Sequence, residues 1–252
     1  MQSGTEYLGA TQDWQGISLL PLFLSCRAAV RAKTTATTTR VERDPARRTE
    51  LEALARRYLA MAEEFLHPPP PAIIAIGGFS GSGKSTLALA LAPSVGAAPG
   101  AIVVRSDEIR KQLCGVSALE RLGPDGYADG LSRRVYKWLV DRAAVIVRAG
   151  HTVIVDAVYA RPHDREAIGR VAADASVPFA GLWLDAPEQT LVARVTARHE
   201  DPSDADADVI RKQQLLGTGP IAWQRFDAST SLERLLQAAE AFVTRLPVAV
   251  AN

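Results

Sequence analysis

The segment Gly78-Phe79-Ser80-Gly81-Ser82-Gly83-Lys84-Ser85 constrains this chain more than any other. It follows the apolar run Ala72-Ile73-Ile74-Ala75-Ile76 and opens the alanine-leucine stretch Thr86–Ala92. The spacing G-x-x-x-x-G-K-[ST] between a buried strand and a helix is that of a loop that cradles phosphate. Glycines let the backbone turn with positive φ and bring N–H groups onto phosphate oxygens. The helix start adds its partial positive charge. The pattern assigns Gly78, Ser80, Gly81, Ser82, Gly83, Lys84, Ser85 and Thr86 to nucleotide binding. Lys84 then reaches the β- and γ-phosphates and the Ser85 hydroxyl holds Mg²⁺, so ATP and Mg²⁺ are the expected cofactors. The plainer alternative is a glycine-rich turn with an incidental lysine.

Further apolar runs follow at Ala101–Val104, Thr152–Val155 and Phe179–Leu184, with a short fifth near Arg225–Ala228. Helical patterns separate them at 84–92, 130–149, 162–174, 187–199, 206–216 and 231–245. Continuous apolar strands alternating with helices predict an α/β fold with a doubly wound, mostly parallel sheet of five strands and a helical lid. Upstream, Leu51, Leu54, Ala55, Tyr58, Ala62, Phe65 and Leu66 recur at helical spacing, and the prolines Pro68 to Pro71 stop that helix. The predicted organisation is an N-terminal helical segment over 1–45, a linker helix and proline spacer over 46–71, and a catalytic domain over 72–248. The threonine-rich stretch 34–39 closes the first zone.

Composition narrows the classes. The chain has 252 residues, with 29 Lys and Arg against 28 Asp and Glu. That balance argues against a basic nucleic-acid coat and, weakly, against a nucleic-acid acceptor. The apolar run Ile17–Leu24 is far short of the ~20 residues that a membrane span needs. It lacks the basic flank of a signal peptide. Two cysteines, Cys26 and Cys114, make no disulfide framework. A cytoplasmic protein without membrane contact is expected.

The remaining chemistry lies at the ends of the predicted strands. Asp107, Asp156 and Asp185 each follow an apolar run. Only Asp107-Glu108 has the acidic pair of a hydrolytic ATPase, and Arg105-Ser106 separates it from its strand, so transfer to an acceptor fits better than hydrolysis. Asp107 is placed to take the proton of an attacking hydroxyl, and Arg110 to hold an anionic group of the acceptor. The alternative makes Ser106 or Asp107 a helix cap and Arg110 a surface arginine. Asp156 binds the acceptor, or else Asp107 or Asp156 meets Mg²⁺ through water. Arg194 and Arg198, four apart, and Arg211 on the next helix read as lid arginines that close over the nucleotide; a solvated charged helix is the alternative. Lys84, Asp107 and Arg198 form the expected catalytic set. His151 and His163 read as surface histidines.

Together these residues resemble the small P-loop kinases of the zeta-toxin, polynucleotide-kinase and gluconate-kinase group, which are also described as AAA-family ATPases. The resemblance covers about residues 72–246 and rests on the loop, on Asp107-x-x-Arg110, on Asp156-Ala157 and on Arg194 to Arg198 before Ser203-Asp204-Ala205. It implies an ATP-dependent phosphotransferase acting on a hydroxyl of a small molecule. The alternatives are a non-catalytic ATP-binding regulatory module, a nucleotide-sugar kinase toxin and a polynucleotide 5′-hydroxyl kinase. Residues 16–33 are also similar to the tail of an aminoglycoside-phosphotransferase-like domain that precedes such kinases in two-domain proteins. The chain therefore reads as a C-terminal fragment or short variant. Its apolar N-terminal helix is expected to pack on the kinase, to contact an upstream domain of that type, or to form a homodimer.

Overall fold

The computed structural model describes residues 16–117, 120–197 and 207–245. These fall within two compact units, Asp13–Pro69 and Pro70–Asn252. In the first, helix α1 (Leu20–Thr39) packs along α2 (Pro45–Leu66) after a short connection. Small residues let the two approach: Ala28, Ala32 and Ala62 are buried, and Ser25 Oγ donates to the Ala62 carbonyl at 2.8 Å. Asp44 caps α2 by accepting from the Ala46 N–H at 3.0 Å, with Pro45 in the first turn where its missing N–H costs nothing. The threonine stretch belongs to α1. The hydroxyls of Thr37, Thr38 and Thr39 turn back onto carbonyls three or four residues earlier in the same helix.

The second unit is built on five strands: β1 (Ile73–Gly78), β2 (Ile102–Arg105), β3 (Val153–Asp156), β4 (Phe179–Asp185) and β5 (Gln224–Asp227). Their order is β2-β3-β1-β4-β5 and every pairing is parallel, so the sheet is wholly rather than mostly parallel among the described strands. The helices that connect them are α3 (Lys84–Leu91), α4 (Ser106–Cys114), α5 (Asp129–Arg148), α6 (Pro162–Asp174), α7 (Glu188–Thr196), α8 (Ala207–Leu216) and α9 (Leu232–Val243).

Both faces of the sheet are covered, which is why the central strands are apolar at every position. Ile74, Ile76, Val103, Ile154 and Leu182 pack under α3 and α9 with Leu87, Leu91 and Leu235. The alternate residues Ile73, Ala75, Val153 and Val155 point to the other face. There α5 and α6 bury Val135, Leu139, Ile146 and Ile168. His151, expected at the surface, is 1% exposed: it sits in the turn that feeds β3 and is enclosed with that strand. No described helix is long and apolar enough to cross a membrane.

The candidate nucleotide and phosphoryl-transfer site

Sheet register sets the level of the site. Asp156 at the end of β3 lies opposite Ile76 of β1 and Arg105 of β2. The phosphate loop leaves β1 just beyond that level. Gly78 has φ +140°, and a Cβ there would stand 2.6 Å from the Leu184 carbonyl oxygen, so the strand can turn into the loop only with glycine. Gly83, at φ +89°, hands the chain to α3. Lys84 Nζ donates to the Phe79 carbonyl at 3.0 Å, folding back over the loop.

Ser85 and Asp156 come together. Ser85 Oγ donates to Asp156 Oδ2 at 2.5 Å. Arg105 Nε lies 3.5 Å from the same carboxylate oxygen, and Arg105 Nη1 is 3.2 Å from Glu108 Oε1. Asp156 and Arg105 are both almost fully buried, so two opposite charges compensate each other where neither is well hydrated. Burial pushes the Glu108 carboxyl up from its ordinary value; Arg105 opposes that rise, and the charges of Asp156 and Asp107 add to it. A hydroxyl and a carboxylate, both hard oxygen donors, suit Mg²⁺, which takes one or two carboxylates plus substrate phosphates rather than a cage of protein ligands. The residues therefore fit the ion. No cluster of three or more His, Cys, Asp or Glu at metal spacing occurs among the described residues.

Asp107 lies half-buried in the first turn of α4. The cap position of that helix is Arg105 rather than Ser106 or Asp107, and the Arg105 side chain makes no capping hydrogen bond. Arg110 is 7% exposed. Its Nη1 donates to the Gly126 carbonyl at 2.7 Å and to Ser132 Oγ at 3.3 Å, and its guanidinium stacks 4.8 Å from the Tyr127 ring. It is thus not a surface arginine; its Nη1 ties α4 to the turn Pro124–Tyr127 and to α5.

On the other side of the loop a cleft of about 270 Å³ opens. Gly81, Ser82, Gly83 and Thr86 form one wall. Arg194, Ala228 and Leu235 form part of the other. Arg194 Nη2 donates to the Ala228 carbonyl at 2.8 Å, which holds the end of α7 across the cleft mouth. Arg211 is not at the cleft; it is exposed on α8 and pairs with Asp208 at 3.0 Å on its own helix. Arg198 and Ser203-Asp204-Ala205 lie outside the described residues.

Three residues outside the expected site set are central in the structure. Along the chain Arg105 is only a spacer, yet in the fold it neutralises Asp156. Arg165 is buried, and its two terminal nitrogens donate at 2.7–2.9 Å to the carbonyls of Tyr159, Ala160, Thr218 and Pro220. Gln213 of α8 contacts the loop itself. An arginine at the last position of an apolar strand is the one available signal for the first. By its place in the segment 161–165, Arg165 reads either as facing the site or as a helix-surface residue, and nothing local marks Gln213; their distant partners lie 53 to 133 residues away.

A parallel α/β sheet with this loop at the carboxyl end of its central strand, and a Ser85–Asp156 pair beside it, defines a P-loop NTPase of the kinase-like fold. A family profile described as an AAA domain matches residues 73–216, and the chain belongs to that family. An uncharacterized protein of Mycobacterium tuberculosis is 31% identical over 211 residues, covering 81% of this chain and 40% of its own length. The chain thus spans about 40% of the length of the curated relatives it matches. Among solved structures, a sugar kinase from Janibacter sp. is 18% identical with a TM-score of 0.51, over 70% of this chain and 95% of that one. A gluconokinase from Sinorhizobium meliloti is 21% identical with a TM-score of 0.48, over 70% and 94%.

Proposed function

We propose that this chain is an ATP-dependent kinase that transfers the γ-phosphoryl group to a hydroxyl of a small acceptor. One observation carries the reading. The carboxylate of Asp156 is already committed to Ser85 and Arg105, while Asp107 stands on a different element at the same sheet edge. A metal-holding carboxylate and a separate proton acceptor are what phosphoryl transfer to a hydroxyl requires. Asp107 accepts the hydroxyl proton as the acceptor oxygen bonds to the γ-phosphorus, and the bond from that phosphorus to the bridging oxygen of ADP breaks. Lys84 and the loop N–H groups hold the phosphate charge. Mg²⁺, at Ser85 and Asp156, supplies further charge neutralisation when bound. Arg194 fixes the nucleotide from the lid side, and Arg110 shapes the acceptor side through the turn it holds. Positioning and preorganised charge provide most of the rate.

The test is transfer of label from γ-labelled ATP with Mg²⁺ to a panel of sugars, sugar acids, nucleotide-sugars, aminoglycosides and 5′-hydroxyl oligonucleotides, with Lys84→Ala as the blank. A labelled product that depends on Lys84 supports the kinase and names its acceptor class. Tight ATP binding with no product on any acceptor would replace it with a nucleotide-sensing module.

A further inference from the structure

Gln213 reaches from α8 to the phosphate loop. The Ser80 N–H donates to Gln213 Oε1 at 3.0 Å, and Gln213 Nε2 donates to Ser80 Oγ at 3.1 Å. A carboxamide facing one N–H and one hydroxyl is a matched two-point contact, and Ser80 is only 6% exposed. Ile210, one turn earlier on the same helix face, is fully buried with Leu191 and Val195 of α7, and Phe79 packs against them. The loop admits this approach because Gly81 has no side chain: a Cβ there would stand 2.5 Å from the Leu191 carbonyl oxygen. The residues flanking Ser80 are therefore shaped to receive the two lid helices.

We infer that Gln213 is a positioning residue that clasps α8 onto the phosphate loop and so holds Arg194, carried by the neighbouring α7, across the nucleotide cleft. The loop wall of that cleft is made by Gly81, Ser82, Gly83 and Thr86, and Ser80 is not among the lining residues. The clasp therefore lies outside the lining of that cleft. It fixes the shape of the cradle before phosphate arrives, which lowers the ordering cost of binding. The consequence for catalysis rests on the kinase reading; the clasp itself does not.

The experiment compares the full chain with Gln213→Leu, Gln213→Asn, Gln213→Glu and Ser80→Ala. Amide hydrogen exchange is followed first, without ligand. Peptides spanning the Ser80 N–H exchange about tenfold faster in Gln213→Leu and Gln213→Asn, the loss expected for a pair of hydrogen bonds. Ser80→Ala keeps its N–H and its protection. Gln213→Glu also stays protected, because one carboxylate oxygen accepts from the N–H and the other from the hydroxyl. Release of a fluorescent non-hydrolysable ATP analogue then quickens about tenfold in Gln213→Leu, and adding Ser80→Ala to that variant worsens it no further. Unchanged exchange in both the leucine and asparagine variants, with circular dichroism showing them folded, overturns the clasp. Exchange and release that change as expected across these variants, with no phosphoryl transfer by the wild type to any acceptor, overturn the kinase reading and leave the clasp standing.

Discussion

Ser85 Oγ and Asp156 Oδ2 lie 2.5 Å apart, joining the last residue of the phosphate loop to the end of β3 across 71 residues of sequence. Arg105 approaches the same carboxylate oxygen from β2 at 3.5 Å. The loop after β1 and the ends of β2 and β3 thus deliver one residue each to a single point at the carboxyl edge of the sheet. Asp156→Asn keeps a hydrogen-bonding partner for Ser85 but removes the charge that balances Arg105. Its Mg²⁺-dependent nucleotide binding should weaken by about tenfold or more, while binding without Mg²⁺ changes little; titration calorimetry with and without the metal checks this.

Asp107→Asn should lower phosphoryl transfer by about 10²–10⁴-fold, the usual contribution of a general base, with ATP affinity nearly unchanged. Steady-state rates and equilibrium binding on the same preparation separate the two effects. Lost nucleotide binding in this variant would count against Asp107 as the base.

Arg165→Lys should destabilise the protein by about 3 kcal/mol or more. Four carbonyls from two loops depend on one planar guanidinium, and an ammonium cannot reach all of them. Urea unfolding at neutral pH measures the loss. A change below about 0.5 kcal/mol, the range of ordinary surface substitutions, would mean that Arg165 does not brace these loops.

Glu108 links stability to pH. Its folded carboxyl holds a proton more tightly than the unfolded chain does, because burial outweighs the help of Arg105. Its favourable contribution is therefore complete below the unfolded value near 4.5 and is lost as pH rises through the folded one. A carboxamide at this position does not titrate, so Glu108→Gln should gain stability relative to wild type as pH rises from about 4 to about 7. Parallel unfolding curves across that range provide the check; a stability difference that stays flat or runs the other way would refute it.

Gly81→Ala should disturb the contact between the phosphate loop and α7. The added methyl meets the Leu191 backbone at 2.5 Å, and the position has φ +85°, so the alanine is strained as well as crowded. Nucleotide affinity is expected to fall about tenfold or more, and the variant should unfold at a lower temperature than wild type; fluorescence titration and a thermal melt report the two losses.

The framework of the kinase-like unit was legible in local pattern. A glycine-rich loop held between an apolar strand and an alanine-leucine helix has few ways to fold, and the alternation of continuous apolar runs with helical spacing requires a parallel sheet covered on both faces. Strand ends therefore marked Asp107 and Asp156, since in such a sheet the carboxyl ends of the strands converge. Local patterns carry that information because backbone hydrogen bonding and side-chain periodicity act over a few residues. How the charges are used became visible only once the elements were packed together. Arg110, an acceptor grip or a surface residue by its spacing, is buried and holds a turn through Nη1; Arg211, a lid arginine by its spacing, pairs with Asp208 on its own helix. Arg105 and Gln213 gained their roles from partners on other elements. A long polar side chain can satisfy itself in many directions, and which one it takes is fixed only when distant segments pack and leave particular carbonyls, carboxylates and amides within its reach.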